Sequence, residues 1–257
     1  MKVSADMLVL DAVSKTFGSL RAVDGVDLTI RAGGITGLIG PNGAGKTTLF
    51  NLIAGTLKPD SGSIRFNGER VDGLSPDRIF HRGLARTFQV PRPFARMTVL
   101  ENLMLAPTRQ AGERFWNNWW RGAAVAREER MHRERAMQVL ETCALAGKAG
   151  DLAGQLSGGQ QKLLELARVL MIEPTLILLD EPGAGVNPAL LDTLVDRIRA
   201  LNRGGITFLV IEHNMDLVMG LCDPVIVMMG GKVVCEGPPA IVRSDARVLE
   251  AYLGSTA

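Results

Sequence analysis

Cysteine is rare and scattered. Cys143, Cys222 and Cys235 are the only three in 257 residues, and no two form a Cys-x-x-Cys pair. That spacing speaks against a disulfide framework or a thiolate metal site, and three buried, reduced thiols are expected. No run of roughly eighteen apolar residues occurs, so no transmembrane helix is expected. The opening Met1-Lys2-Val3-Ser4-Ala5-Asp6 has no apolar stretch of the kind a secretion signal needs, which points to a cytoplasmic chain. Charge of one sign is not in excess either. A net charge of +2 gives no electrostatic reason to expect nucleic acid as a partner. Internal repeats and low-complexity tracts are also absent.

What is present is an ordinary globular composition, 46% hydrophobic and 22% charged. A chain of this length buries one sizeable core, or one core with a small appended subdomain. Residues 7–36 alternate in short β-type runs broken by Gly18, Gly25 and Gly33-Gly34, which predicts a small antiparallel sheet. Ile35-Thr36-Gly37-Leu38-Ile39 reads as a buried strand entering a glycine-rich loop, with a helix after it that Gly55 closes. Past Arg86-Thr87-Phe88-Gln89 the pattern turns helical, opening on the capping box Thr98-Val99-Leu100-Glu101. Thr175–Leu179 and Thr207–Ile211 predict two further buried strands, with a helix at about 188–203 between them. Two short strands (Pro224–Met229, Lys232–Cys235) and a helix near 245–253 complete the chain. The expected fold is α/β: a mostly parallel sheet, an N-terminal antiparallel β part and an inserted helical subdomain. The expected boundaries are 1–90 and 155–257 for the core and 91–154 for the insert.

Gly40-Pro41-Asn42-Gly43-Ala44-Gly45-Lys46-Thr47 matches the phosphate-binding loop in full. Its glycines let backbone N–H groups converge on phosphate oxygens, and the helix that follows, through Thr48, adds its positive end. Lys46 is then expected to reach the β- and γ-phosphates of ATP, and the Thr47 hydroxyl to ligate Mg²⁺. Leu176-Ile177-Leu178-Leu179-Asp180 is a Walker B pattern: four apolar residues bury the strand and a carboxylate emerges at its C-terminal end. Asp180 is expected to hold Mg²⁺ through water, and Glu181 to act as general base. A second anion site is legible at Ser157-Gly158-Gly159-Gln160, where two glycines precede a helix that Ser157 can cap.

The Ser157-Gly158-Gly159-Gln160 segment, a little upstream of a strand ending in Asp180-Glu181, resembles the signature motif of the ATP-binding cassette (ABC) ATPases, and the resemblance covers essentially the whole chain. It implies that the signature binds nucleotide held by a partner subunit, so that ATP closes a head-to-tail dimer and hydrolysis releases it. It further implies that His213 is the H-loop histidine that senses the γ-phosphate, that Gln89 is the Q-loop residue touching Mg²⁺ and the attacking water, and that Phe17 stacks on adenine. Phe17 as a plain core phenylalanine is the alternative. Ala184-Gly185-Val186-Asn187 stands where the family usually has Ser-Ala-Leu-Asp, so Asn187 replaces a carboxylate in the D-loop.

Several stretches are similar to one branch, the longer ATPase of high-affinity branched-chain amino acid importers: Gly83–Gln89, Met97–Leu103, Ala184–Pro188, Ile211–Met219 and Leu249–Gly254. This implies a second ATPase subunit, two transmembrane permease subunits and a periplasmic substrate-binding protein as partners, at the cytoplasmic face of the membrane. A related importer for urea, amides or other amino acids, a soluble non-transport ATPase and an exporter cassette are the other classes. At about 108–135 lies an extra stretch with Phe115, Trp116, Trp119 and Trp120, and with Arg109, Arg114, Arg121, Arg127, Arg130, Arg133 and Arg135 around them. It reads either as a solvated basic helix or as a platform for permease or anionic lipid.

Overall fold

The computed structural model describes residues 6–87, 92–106 and 122–253. The chain divides into two compact units, one of residues 1–89, 174–184 and 198–257, the other of 90–173 and 185–197.

The first unit holds two sheets. One is antiparallel, with β1 (Asp6–Phe17), β2 (Leu20–Arg31), β4 (Ser61–Phe66) and β5 (Glu69–Arg70) in the order β2-β1-β4-β5. Gly18, in the left-handed region at φ 60°, makes the two-residue turn from Phe17 to Leu20. Strict alternation along β1 buries Leu8 and Leu10 and would turn Val13 outward. Register shifts, between Leu10 and Val13 against β2 and between Asp11 and Ser14 against β4, return Val13 to the core. The sequence predicted this sheet only over 7–36. Its second half, β4 and β5, is short and mostly polar, and its place is set by pairing with β1 across some fifty residues.

The second sheet comprises β3 (Ile35–Ile39), β6 (Leu84–Arg86), β7 (Leu176–Asp180), β8 (Thr207–Ile211), β9 (Val225–Met229) and β10 (Lys232–Gly237), in the order β10-β9-β3-β8-β7-β6. Every pairing is parallel except β9 with β10. All residues of β3, β7 and β8 are buried, which explains why they read as unbroken apolar runs. Helix α1 (Lys46–Ile53) follows β3 and buries Leu49, Phe50, Leu52 and Ile53. Helix α2 (Pro76–Phe80) lies between β5 and β6.

In the second unit, α3 (Val99–Met104), α4 (Gly122–Thr142) and α5 (Gly158–Leu170) pack on one another. The capping box expected at Thr98 is present: its hydroxyl accepts from the Glu101 N–H, and the Glu101 carboxylate accepts from the Thr98 N–H. Helix α6 (Pro188–Arg203) begins in this unit and ends in the first. Beside the 91–154 expected for the insert, the second unit spans 90–173 and 185–197. It takes in α5 because that helix buries Leu163, Leu164, Leu166 and Ala167 and packs on α3 and α4. Arg127, Arg130, Arg133 and Arg135 are exposed on α4, whereas Phe115 and the three tryptophans lie outside the described residues. Three short helices follow in the first unit: α7 (Met215–Leu221), α8 (Pro239–Ser244) and α9 (Ala246–Leu253).

No helix among the described residues is long and apolar enough to cross a membrane. All three cysteines are free, but only Cys143 and Cys222 are buried, and burial pushes both thiols up to about 12. Cys235 is only half-buried, contrary to expectation, because it sits on β10 at the sheet edge.

Asn102 organises the entry to the helical unit. It is fully buried; its Oδ1 accepts from the Phe94 N–H at 2.9 Å, and its Nδ2 donates to the carbonyls of Thr98 at 2.9 Å and Phe94 at 3.2 Å. Asn102→Ala leaves those backbone groups without their partner. It is expected to destabilise the chain by about 2–4 kcal/mol, read as a lower urea unfolding midpoint.

Candidate functional site

The loop from β3 to α1 carries Gly40–Thr47, and its glycines are needed for their shape. Gly40, Gly43 and Gly45 have φ of 150°, 79° and 98°. A Cβ at Gly40 would overlap the Met228 carbonyl, and one at Gly45 the Ala22 carbonyl. The loop is tied down from outside as well, since the Gly231 N–H donates to the Ala44 carbonyl at 3.1 Å. Pro41, Asn42, Gly43 and Thr47 stay partly or fully exposed while Ala44 and Lys46 are buried. The result is a backbone concavity at the N-terminus of α1, open to solvent and favourable to phosphate. Thr48 continues α1 from Thr47, with its side chain half-buried.

Lys46 folds back over this loop. Its ammonium donates to the Gly40 carbonyl at 2.6 Å and to the Pro41 carbonyl at 3.0 Å. Burial lowers its pKa, while the negative charges of Glu181 and Asp180 pull the other way.

The strands deliver the carboxylates. Asp180 ends β7, is 5% exposed, and accepts from Arg86 at 2.8 Å. Arg86 leaves β6, also donates to the Asn51 side chain on α1 at 2.5 Å, and lies 5.8 Å from the Phe50 ring centre. One guanidinium therefore connects Asp180 to α1, the helix that starts in the phosphate loop. Neither Arg86 nor Asn51 was singled out from sequence. The available signal was a charge closing a short apolar strand, Leu84-Ala85-Arg86.

Glu181 sits just beyond β7 with φ at 50°, a conformation that few residues other than glycine adopt. Its N–H donates to the Ile211 carbonyl at 2.9 Å, which carries the β7–β8 ladder one residue further. His213 follows β8, and its Nε2 lies 2.8 Å from Glu181 Oε1. The imidazole is 42% exposed, so it is held by that contact more than by packing. A carboxylate bonded to an imidazole at an open edge can accept a proton from water.

Phe17 stands at the end of β1, 46% exposed, with the Lys15 ammonium 5.7 Å from its ring centre. A core role for Phe17 does not fit that exposure; a flat face open to stacking does.

These residues all belong to the first unit. Ser157–Gln160 belong to the second. Ser157 caps α5 through a full capping box: its hydroxyl accepts from the Gln160 N–H, and the Gln160 side chain accepts from the Ser157 N–H. The two glycines differ. A Cβ on exposed Gly158 would meet nothing within 4 Å, whereas one on buried Gly159 would overlap Leu190. Asn187 has a local task of its own: its side-chain oxygen accepts from the Leu190 N–H at 2.9 Å and caps α6. Gln89 lies outside the described residues.

Residues 23–184 match the family model described as ABC transporter, and residues 232–257 that described as branched-chain amino acid ATP-binding cassette transporter. The chain is 40% identical to the probable branched-chain amino acid transport ATP-binding protein LivG of Methanocaldococcus jannaschii, over 99% of this chain and 100% of that one. A crystal structure of the ADP conformation of an ABC transporter's ATP-binding cassette matches with a TM-score of 0.85 at 39% identity, covering 98% of this chain and 100% of that one. A dimeric cassette in a post-hydrolysis state, bound to ADP and Pi, matches with a TM-score of 0.74 at 26% identity, covering 91% and 99%. Extended over nearly its whole length by these similarities, the chain belongs to the ATP-binding cassette family of ABC transporters, whose ATP-binding proteins hydrolyse ATP to power transport.

Proposed function

We propose that this chain is the ATP-hydrolysing subunit of an importer for branched-chain amino acids. The observation that carries the substrate class is the match of residues 232–257 to the branched-chain cassette model, joined to 40% identity along the full length of a relative named for that transport.

In this reading Phe17 stacks on adenine, and the backbone of Gly40–Gly45 with Lys46, Thr47 and Thr48 holds the phosphates. Thr47, Gln89 and Asp180 would hold Mg²⁺, which when bound neutralises charge on the phosphate oxygens. The donor set fits that ion. A hydroxyl, an amide and one carboxylate are hard oxygen ligands, and Mg²⁺ in such sites draws its remaining ligands from phosphate and water. Among the described residues no cluster of His, Cys, Asp and Glu could hold a metal by itself. Glu181 takes a proton from water as the water oxygen bonds to the γ-phosphorus. The bond from that phosphorus to the bridging oxygen breaks, and ADP and phosphate leave. His213 keeps Glu181 placed through the 2.8 Å contact.

The partners follow from the same reading. Ser157, Gly158, Gly159 and Gln160 bind the nucleotide of a second ATPase subunit, in keeping with the dimeric cassette among the similar structures. Two permease subunits and, through them, a periplasmic binding protein complete the importer, with this chain at the cytoplasmic face of the membrane. Nucleic acid has no place in it.

Glu181→Gln is expected to keep ATP affinity within about two-fold and to lower kcat by about 10²–10³, since only the proton acceptor is removed. Steady-state hydrolysis with a parallel binding titration checks this; turnover at the normal rate would remove Glu181 as base.

Gly158→Asp fits its own subunit, where that position is open, but sets a carboxylate against the partner's phosphates. Melting temperature and ATP binding by the single subunit should be unchanged, and ATP-dependent dimerisation in the Glu181→Gln background should be lost on gel filtration.

For substrate class, vesicles carrying the complete transporter are expected to accumulate labelled leucine in an ATP-dependent way that Glu181→Gln abolishes. Accumulation of urea or a short amide, with none of leucine, would overturn the assignment.

A further inference from the structure

Glu212 is a buried carboxylate that the hydrolytic scheme above leaves unused. It directly follows the five buried residues of β8 and is 3% exposed. A carboxylate so placed needs compensation, and here backbone N–H groups supply it. Oε1 accepts from the Gly183 N–H at 2.5 Å. Oε2 accepts from the His213 N–H at 3.0 Å and the Asn214 N–H at 3.4 Å. One oxygen is thus committed to the loop after β7 and the other to the loop after β8.

Those loops carry the Glu181–His213 pair. The sheet ladder fixes their separation only as far as the bond from the Glu181 N–H to the Ile211 carbonyl. Beyond it, residues 181–184 form a turn closed by the Ala184 N–H on the Glu181 carbonyl, which leaves the Gly183 N–H to point elsewhere. It points to Glu212. His213 is half-exposed and is not held by packing, so the placing of its backbone decides where its ring reaches.

We propose that Glu212 is a positioning residue for ATP hydrolysis: its two oxygens clasp the loop roots after β7 and β8 and so hold Glu181 and His213 at contact distance. The chemistry needs a carboxylate. It accepts on both sides, whereas an amide would set an N–H₂ against one of the N–H groups it must receive. The hydrogen bonds of Glu212 go to the Gly183, His213 and Asn214 N–H groups and not to the phosphate loop, so its effect is expected on turnover more than on affinity.

The inference rests on the roles given above to Glu181 and His213. Its test is a double-variant cycle in the full chain under conditions that support wild-type turnover, with kcat and ATP affinity measured for Glu212→Gln, His213→Ala and the pair. Glu212→Gln is expected to bind ATP within about two-fold of wild type and to lose about ten- to a hundred-fold in kcat. Combined with His213→Ala it is expected to cost at most about three-fold more, because the two changes damage one arrangement. Glu212→Asp, with the same oxygens on a shorter stem, serves the same comparison if the glutamine variant fails to fold. A kcat near wild type, losses that multiply in the double variant, or an affinity loss equal to the kcat loss each overturn the proposal. Wild-type turnover by His213→Ala instead overturns the roles assigned to the pair.

Discussion

The pairing of β7 with β8 is the constraint on which the site depends. Five residues pair in register, from Leu176 with Thr207 to Asp180 with Ile211, and the Glu181 N–H adds one more bond to the same ladder. On its other side β8 pairs with β3, with Leu38 opposite Ile211, so the phosphate loop departs from the same level of the sheet. Asp180, Glu181, His213 and the loop Gly40–Thr47 thereby share one edge. A slip of one residue in either pairing would exchange the faces of every side chain on the strand. Burial of β3, β7 and β8 on both faces makes such a slip expensive, and the register of the chemistry is inherited from the packing of Leu, Ile, Val and Phe.

Charge at this edge is compensated piece by piece. Asp180 is matched by Arg86, Glu181 meets His213, and Glu212 is surrounded by backbone N–H groups. Lys46, buried under the phosphate loop, feels the field of Asp180 and Glu181. Three carboxylates within a few residues of two strand ends coexist because each has its own kind of partner. Arg86 also links β6 and β7 to α1 through Asn51, so the phosphate loop's helix and the acidic edge are braced against each other.

Much of this was legible in the sequence where chemistry dictates residue type at fixed spacing. The phosphate loop, the Asp180-Glu181 pair, the capping box at Thr98 and the cap at Ser157 depend on neighbours within a few positions, and a linear pattern contains those. Strands buried on both faces were legible as apolar runs. What escaped detection is non-local. β4 and β5 are polar segments defined by pairing with β1. The packing of α5 on α3 and α4 is likewise a matter of contacts that no local pattern reports. Arg86 meets Asp180 across 94 residues and Glu212 meets Gly183 across 29, so neither role can be read from spacing. That Asn187, standing where the family has a D-loop carboxylate, also caps α6 is seen only in the fold.

The neighbouring glycines of the signature segment face different judges. Gly159 is pressed on by Leu190 within its own chain, while Gly158 borders open space. A side chain introduced at 159 is therefore correctable in cis, by trimming Leu190. One introduced at 158 meets nothing within 4 Å among the described residues, and in the proposed dimer a compensating change would be sought in the partner subunit. Suppressor genetics at these two adjacent codons would separate the selection that maintains a helical core from the selection that maintains an assembly.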